Sequence, residues 1–327
     1  MNTFQQEKKI DMKRYHKCDS DLKWYGMYGN DTKYKAYVSP ETNKHPAKMS
    51  LKLADTIVKH LERLKLIKQG DRIIDFMAGT ARTGIVAELN GYPFIGIELE
   101  SHFTDLIDLN RQTLKNAIHR DPSWTIIQGD AQKLSELLNQ LKDGYGKKIS
   151  EHSGLLDERI ASQGYSAIVS PPYGLGIGLG HAGKPDGVRE QQPWLYGSSN
   201  AQIGNQTDET YLSAMFKVYS EAFKVGISPM VTVTKNPTKN RQLRRLDIDT
   251  ALLLEQAGYE IVDYHQAMLF KTQTQITLSG EVKPIIKGQL SFFKRISVQK
   301  GNVAADHEDI LIAVIPEKKI FYGVGLK

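Results

Sequence analysis

Apolar residues recur at helical spacing from Leu51 onward: Leu51, Leu53, Ala54, Ile57, Val58, Leu61 and Leu64 form one stripe. The stripe predicts a helix over 50–68, with Ser50 capping its start and Gly70 its end. Beyond it, short apolar runs alternate with amphipathic stretches. The runs at 72–76, 94–97, 125–127, 167–169, 230–234, 260–268 and 310–315 predict strands. The stretches at 79–89 (a loop that becomes a helix), 102–118, 134–141, 211–225 and 248–257 predict helices. Strands alternating with helices imply an α/β fold, a doubly wound, mostly parallel seven-stranded sheet covered on both faces.

Three regions depart from this rhythm. Residues 1–40 are polar, with basic and aromatic side chains interleaved, among them Lys8, Lys13, Arg14, Trp24, Tyr25 and Tyr28. They read as an N-terminal arm that either grips a nucleic-acid strand or packs across the domain. Residues 174–207 carry eight glycines and are too long for an ordinary connection, which points to a functional loop. Residues 271–306 are irregular or hairpin-like and rich in lysine. The expected organisation is therefore an arm at 1–40 and one domain at 41–320, with insertions at 174–207 and 271–306 as candidate target-recognition elements.

Composition narrows the function classes. No apolar run approaches the ~20 residues of a membrane span, and Met1–Lys13 has no apolar signal core. Cys18 is the sole cysteine, so neither a disulfide framework nor a cysteine-based zinc site is expected, and a reducing cytoplasm is the natural location. The net charge of +6 suits a polyanionic partner as well as simple solubility.

The strand ends carry the candidate chemistry. After the strand at 72–76 comes the small-residue turn Asp75-Phe76-Met77-Ala78-Gly79-Thr80-Ala81, where backbone can approach a ligand closely. Glu98, followed by Leu99, stands nineteen residues past Gly79 at the next strand end, placed to accept both hydroxyls of a ribose. Asp130, followed by Ala131, closes the third strand and suits the amino group of an adenine. Three carboxylates without a phosphate cradle fit a cationic, adenosine-bearing ligand. The chain lacks both GxGxxG and a P-loop, which disfavours NAD and ATP relative to S-adenosylmethionine.

A second segment, Ser170-Pro171-Pro172-Tyr173, leaves the strand at 167–169. Two prolines cannot continue an inner strand, so the backbone turns at the carboxyl edge of the sheet, where open α/β sheets bind ligands. Ser170 offers a hydroxyl, Pro171 a carbonyl and Tyr173 an aromatic face. An exocyclic base amine needs this set, because its lone pair is delocalised into the ring. Hydrogen bonds to Ser170 and Pro171 would favour a pyramidal nitrogen, and Tyr173 would stack on the flipped base.

These motifs resemble the DNA amino-methyltransferases that modify N4 of cytosine or N6 of adenine. SPPY is similar to their motif IV, and Asp75 to Gly84 resembles motif I, with Ala81 in place of its last glycine. His45-Pro46-Ala47-Lys48-Met49 is similar to motif X, which implies that His45, Pro46 and Lys48 help to hold the methionine part of the cofactor. Val231–Asn236 and His307–Ile310 also look like later parts of such enzymes. The resemblance covers roughly 40–316 and implies the class I S-adenosylmethionine-dependent fold, the motif order X, I, IV, and contacts from Glu98 and Asp130 to ribose and adenine. In this family SPPY leans towards N4 of cytosine and DPPY towards N6 of adenine. Carbon-5 methylation would need a nucleophilic cysteine, and Cys18 lies outside any catalytic motif.

Lys235, Lys239, Arg241, Arg244 and Arg245 follow a strand and either hold phosphates or form a solvated helix start. His181 and His265 read as structural histidines. No metal is expected, because amine methylation by this route needs none and the sequence displays no ligand cluster. DNA is the expected partner, with RNA as the nearest rival and a cognate nuclease as a further candidate. A non-catalytic nucleic-acid-binding subunit of the same fold and a nicotinamide oxidoreductase are the readings from other classes.

Overall fold

The computed structural model describes residues 10–28, 32–44, 48–141, 164–173, 201–206, 208–239, 242–276, 281–288 and 305–316. Twelve strands are present among them: β1 (Lys23–Trp24), β2 (Arg72–Asp75), β3 (Phe94–Glu98), β4 (Trp124–Gln128), β5 (Tyr165–Val169), β6 (Met230–Thr234), β7 (Thr238–Lys239), β8 (Gln242–Leu243), β9 (Glu260–Met268), β10 (Phe270–Ile276), β11 (Val282–Gly288) and β12 (His307–Val314). The helices are α1 (Leu51–Arg63), α2 (Arg82–Leu89), α3 (Ser101–Ile118), α4 (Leu134–Asn139), α5 (Asp208–Lys224) and α6 (Leu246–Ala257).

Eight strands form the main sheet in the order β1-β9-β12-β6-β5-β2-β3-β4. All neighbours pair in parallel except β12, which runs antiparallel to both β6 and β9. The fold is therefore the expected mostly parallel α/β class, but with eight strands rather than seven. The extra strand is β1, whose Lys23 and Trp24 pair with Gln266 and Ala267. Two residues carry no readable period, so the pattern along the chain could not reveal it.

Alternation along the strands splits the core into two layers. Ile74, Ala167, Val169, Met230 and Leu311 face α5 and α6. Ile73, Ile168, Val231, Val233, Ile310 and Ile312 face α1 and α2. Inner strands buried on both faces read as continuous apolar runs, which is why their positions were legible. The bounds of β6 and β9 coincide with the predicted ones, and the others shift by a few residues.

Ser50 caps α1 as expected, its hydroxyl accepting from the Leu53 amide at 3.4 Å. Gly70 does not close that helix. It ends at Arg63, with Lys65 in a left-handed conformation at φ 58°, while Gly70, at φ 96°, turns the chain into β2. α2 packs so close to β3 that a Cβ on Gly84 would lie 2.5 Å from the Phe94 ring. In the 271–306 stretch, β10 and β11 pair as an antiparallel hairpin, and residues 289–304 lie outside the described residues. Residues 201–206 of the glycine-rich insertion are described and include a 3-10 turn at Ile203–Asn205, whereas 174–200 lie outside. The described part of the N-terminal arm packs on the domain: Met12 and Tyr15 join one core layer, Trp24, Met27 and Tyr34 the other.

Candidate active site

A cavity open to solvent lies at the carboxyl edge of β2 to β5. The sheet order explains its place: β5 leads back past β2, and the turns after β2, β3, β4 and β5 all open on the same side. Lys48, Asp75 to Thr80, Glu98, Leu99, Asp130 and Ala131 line it, and so do Ser170, Pro171, Pro172 and Tyr173. The two groups of residues singled out in the sequence therefore share one space. His45 and Pro46 lie outside the described residues.

The first wall is built on main-chain amides. Asp75 is buried, accepts from the Met77 amide at 3.1 Å and from the Thr83 hydroxyl at 2.9 Å. It thereby pins the turn to the start of α2. Glu98 accepts from the Gly79 amide at 2.7 Å and the Glu100 amide at 3.1 Å. The Leu99 amide adds a further backbone hydrogen bond to Glu98. Burial pushes the carboxyls of Asp75 and Glu98 up to about 7, against the pull of these hydrogen bonds. Asp130 caps the 3-10 turn at Ala131–Lys133 through the Gln132 amide at 2.9 Å.

The turn at 77–81 takes left-handed conformations at Gly79 (φ 54°) and at Ala81 (φ 54°). Glycine adopts this freely, whereas alanine does so at a cost of roughly 1–2 kcal/mol. Ala81 holds this conformation while tied to the Ala78 carbonyl at 2.7 Å and fully buried.

The second wall is held by side chains from distant elements. Tyr211 on α5 donates to the Pro172 carbonyl at 2.7 Å, which fixes the turn and leaves the adjacent Pro171 carbonyl out of that bond. Glu308 on β12 lies 3.5 Å from the Tyr173 hydroxyl and accepts a short hydrogen bond from Tyr28 of the N-terminal arm. Burial raises the Glu308 carboxyl, with Tyr28, Lys235 and Tyr173 opposing. Beside it, Asp309 accepts from the Tyr264 hydroxyl at 2.6 Å and pairs with His307 at 3.2 Å. Burial would lower the His307 pKa, but Asp309 and Asp306 outweigh it and hold the ring at about 9, an imidazolium at neutral pH.

Sequence reasoning assigned no site role to Tyr28 and Glu308, although it singled out the stretches that hold them, the N-terminal arm and His307–Ile310; it did not point to Tyr211, nor to Phe103, Arg82, Gln202 and Ile203 on the cavity wall. Arg82 is the exception with a signal, since it directly follows the motif I turn. It sits near Lys48, whose ammonium is held below its usual pKa by partial burial and by the Arg82 charge. Of the basic run, Arg245 is gripped by Asp247 at 2.8 and 2.9 Å, and Arg244 pairs with Asp249 at 3.4 Å and lies over the Tyr211 ring. Lys235 faces Glu308. Lys239 is in β7, and Arg241 lies outside the described residues.

His16, Cys18, Asp263 and His265 converge elsewhere, far apart in sequence and close in space. Among the described residues no helix is long and apolar enough to cross a membrane.

Residues 1–108, a third of the chain, match the family model described as DNA methylase. No curated protein matches the chain. Among solved structures the chain is similar to a provisionally named RNA methyltransferase from Pyrococcus horikoshii, 12% identical with a TM-score of 0.41, over 87% of this chain and 93% of that one. It is also similar to magnesium protoporphyrin IX methyltransferase from Synechocystis with bound SAH, 10% identical with a TM-score of 0.40, over 81% and 83% of the two chains.

Proposed function

We propose that this protein transfers a methyl group from S-adenosylmethionine to an exocyclic amine of a DNA base, N4 of cytosine by preference and N6 of adenine second. The observation that carries this reading is that the carboxylate wall and the Ser170–Tyr173 turn face one cavity. The family match over residues 1–108 supports a nucleic-acid methylase.

The residues present fit the cofactor. Glu98 has both oxygens oriented by amides and lines the cavity where a ribose diol would meet it. Asp130 suits the adenine amine. Lys48 and Arg82 put positive charge at the rim where a methionine carboxylate would lie. When bound, S-adenosylmethionine supplies an electrophilic methyl on a sulfonium.

The rest of the work falls to the chain. Ser170 and the Pro171 carbonyl accept the two amine hydrogens and turn the nitrogen lone pair towards the methyl. Tyr173 stacks on the base, and Tyr211 keeps the turn rigid through Pro172. Orientation of this kind replaces much of the entropic barrier. On this reading the insertions at 174–207 and 271–306 are the elements that would read the target sequence, and a cytoplasm containing DNA would be the setting.

The test is to incubate the protein with labelled cofactor and mixed DNA and RNA, digest to nucleosides, and identify the product by mass spectrometry. N4-methylcytosine in DNA is expected. N6-methyladenine would move the target within the same chemistry, methylated RNA would change the polymer, and no methylated base would refute the reading.

A further inference from the structure

The convergence of His16, Cys18, Asp263 and His265 has the dimensions of a metal site. Each offers one donor atom, and the four atoms lie within 4.8 Å of one another. His265 Nε2 is 3.7 Å from Cys18 Sγ and 3.0 Å from Asp263 Oδ2. His16 Nδ1 is 3.4 Å from Asp263 Oδ1 and also 3.0 Å from the Tyr264 carbonyl, so the His16 ring has to give up that contact to turn a lone pair to an ion. Donors about 2.0–2.3 Å from a tetrahedral zinc stand roughly 3.3–3.8 Å from each other, so these separations are close to what one ion would span.

The surrounding groups orient the donors. His265 Nδ1 lies 3.0 Å from the Asp21 carbonyl, which can only accept. The ring proton therefore sits on Nδ1, and Nε2 turns its lone pair towards Cys18 and Asp263. On the other side, Arg63 donates to His60 Nδ1 at 2.8 Å, so the His60 Nε2 proton points at Asp263 Oδ2, also 2.8 Å away. Ser20 Oγ is 2.8 Å from Cys18 Sγ. Histidine ligands held by a carbonyl, and carboxylate ligands held by a second donor, are the outer partners that metal sites use to fix their geometry.

The His265 Nε2 lone pair is 3.0 Å from the Asp263 carboxylate and 3.2 Å from His60 Nε2, whose single proton both acceptors share, and a cation would relieve that crowding of acceptors. An extra proton on His265 would also serve, with Cys18 then hydrogen-bonded to Ser20 and Asp263; a divalent ion uses the sulfur as a ligand as well. One thiolate and one carboxylate neutralise a divalent ion, so the buried group carries no net charge. Mixed sulfur, nitrogen and oxygen donors suit zinc rather than magnesium or calcium.

We propose that His16, Cys18, Asp263 and His265 form a structural zinc site that fastens the N-terminal arm to β9. All four positions are filled by the chain, as in structural rather than catalytic zinc centres. None of the four lines the Ser170–Tyr173 cavity, so the site stands apart from the proposed methyl transfer.

The experiment measures the zinc content of the purified full-length protein after dialysis, then after incubation with equimolar Zn²⁺. One zinc per chain is expected, falling to near zero in Cys18→Ala and His265→Gln. Replacement by Co²⁺ should give a thiolate-to-cobalt charge-transfer band that Cys18→Ala abolishes. A chelator should lower the melting temperature of the wild type but not of Cys18→Ala. Cys18 is only partly buried, and circular dichroism verifies that its variant is folded. A wild type that retains no zinc after loading, or zinc held equally by the wild type and both variants, overturns the proposal.

Discussion

The two walls of the cavity are built by different means. On the carboxylate wall, Asp75, Glu98 and Asp130 are each held by an amide two residues further on, and Glu98 also by Gly79, nineteen residues back. On the wall around Ser170–Tyr173, the partners come from far away: Tyr211 is 39 positions from Pro172, and Glu308 is 135 from Tyr173 and 280 from Tyr28. The first wall is a local structure that any chain with these turns would form. The second exists only once α5, β12 and the N-terminal arm have docked. Ligand binding and turnover should therefore respond to different substitutions.

Glu98→Ala should produce the largest change. It removes two charge-assisted hydrogen bonds to the ribose, each worth about 1.5–3 kcal/mol, so cofactor affinity should fall at least about 100-fold by calorimetry. Unchanged affinity would remove Glu98 from the site. A pH series sharpens the same point. Burial holds Glu98 at about 7, and only its ionised form accepts fully from a diol while attracting a cation. Affinity should therefore weaken as pH falls below 7, and Glu98→Gln should flatten that dependence.

Glu308→Gln probes the other wall and should be smaller. It loosens Tyr28 and Tyr173 without touching the carboxylates, so kcat should drop about tenfold, equivalent to roughly 1.4 kcal/mol, with the cofactor Kd unchanged. A loss of cofactor affinity instead would mean that the two walls are not separable.

The pH dependence of stability offers a further check. His307 has its pKa raised from an ordinary 6.5 to about 9. Its contribution is fully present below pH 6.5 and is lost as pH rises through 9. His307→Gln should flatten the decline in denaturant stability across that window.

The smallest effect concerns salt. Neutralising Lys235, Lys239 or Arg241 should flatten the log–log dependence of DNA affinity on salt by roughly 0.9 for each phosphate that the protein no longer neutralises. Arg244 and Arg245 should contribute least, because Asp249 and Asp247 already hold them. A slope that changes equally for all five would show that the carboxylates release their arginines on binding.

The same contrast explains what could be read from the chain alone. The strand–turn–helix unit from Arg72 to Leu89 announced itself, because an apolar run, small residues and an acidic strand end lie side by side. Glu98 and Asp130 repeat that signal at the next two strand ends. Tyr28 and Glu308 lie in stretches that stand out in the sequence, the arm and His307–Ile310, but what they do there arises from a pairing across most of the chain. β1 was missed for the same reason, since two residues become a strand only beside Gln266 and Ala267. His265 reads as a lone histidine until the fold brings His16, Cys18 and Asp263 around it. Gly70 misled because a glycine past a helix resembles its cap, while the chain had already turned at Lys65.

The most direct test of the central claim is single-turnover methyl transfer by the double variant Ser170→Ala, Tyr173→Ala, with cofactor affinity measured on the same sample. Losing one positioned polar group at a reacting centre costs about 2.7–4 kcal/mol by analogy with oxyanion-hole donors, and losing a stacking face roughly 1–3 kcal/mol. The account predicts a rate at least about 100-fold lower with cofactor affinity intact. A double variant that transfers methyl groups at the wild-type rate would place the chemistry elsewhere and contradict the account.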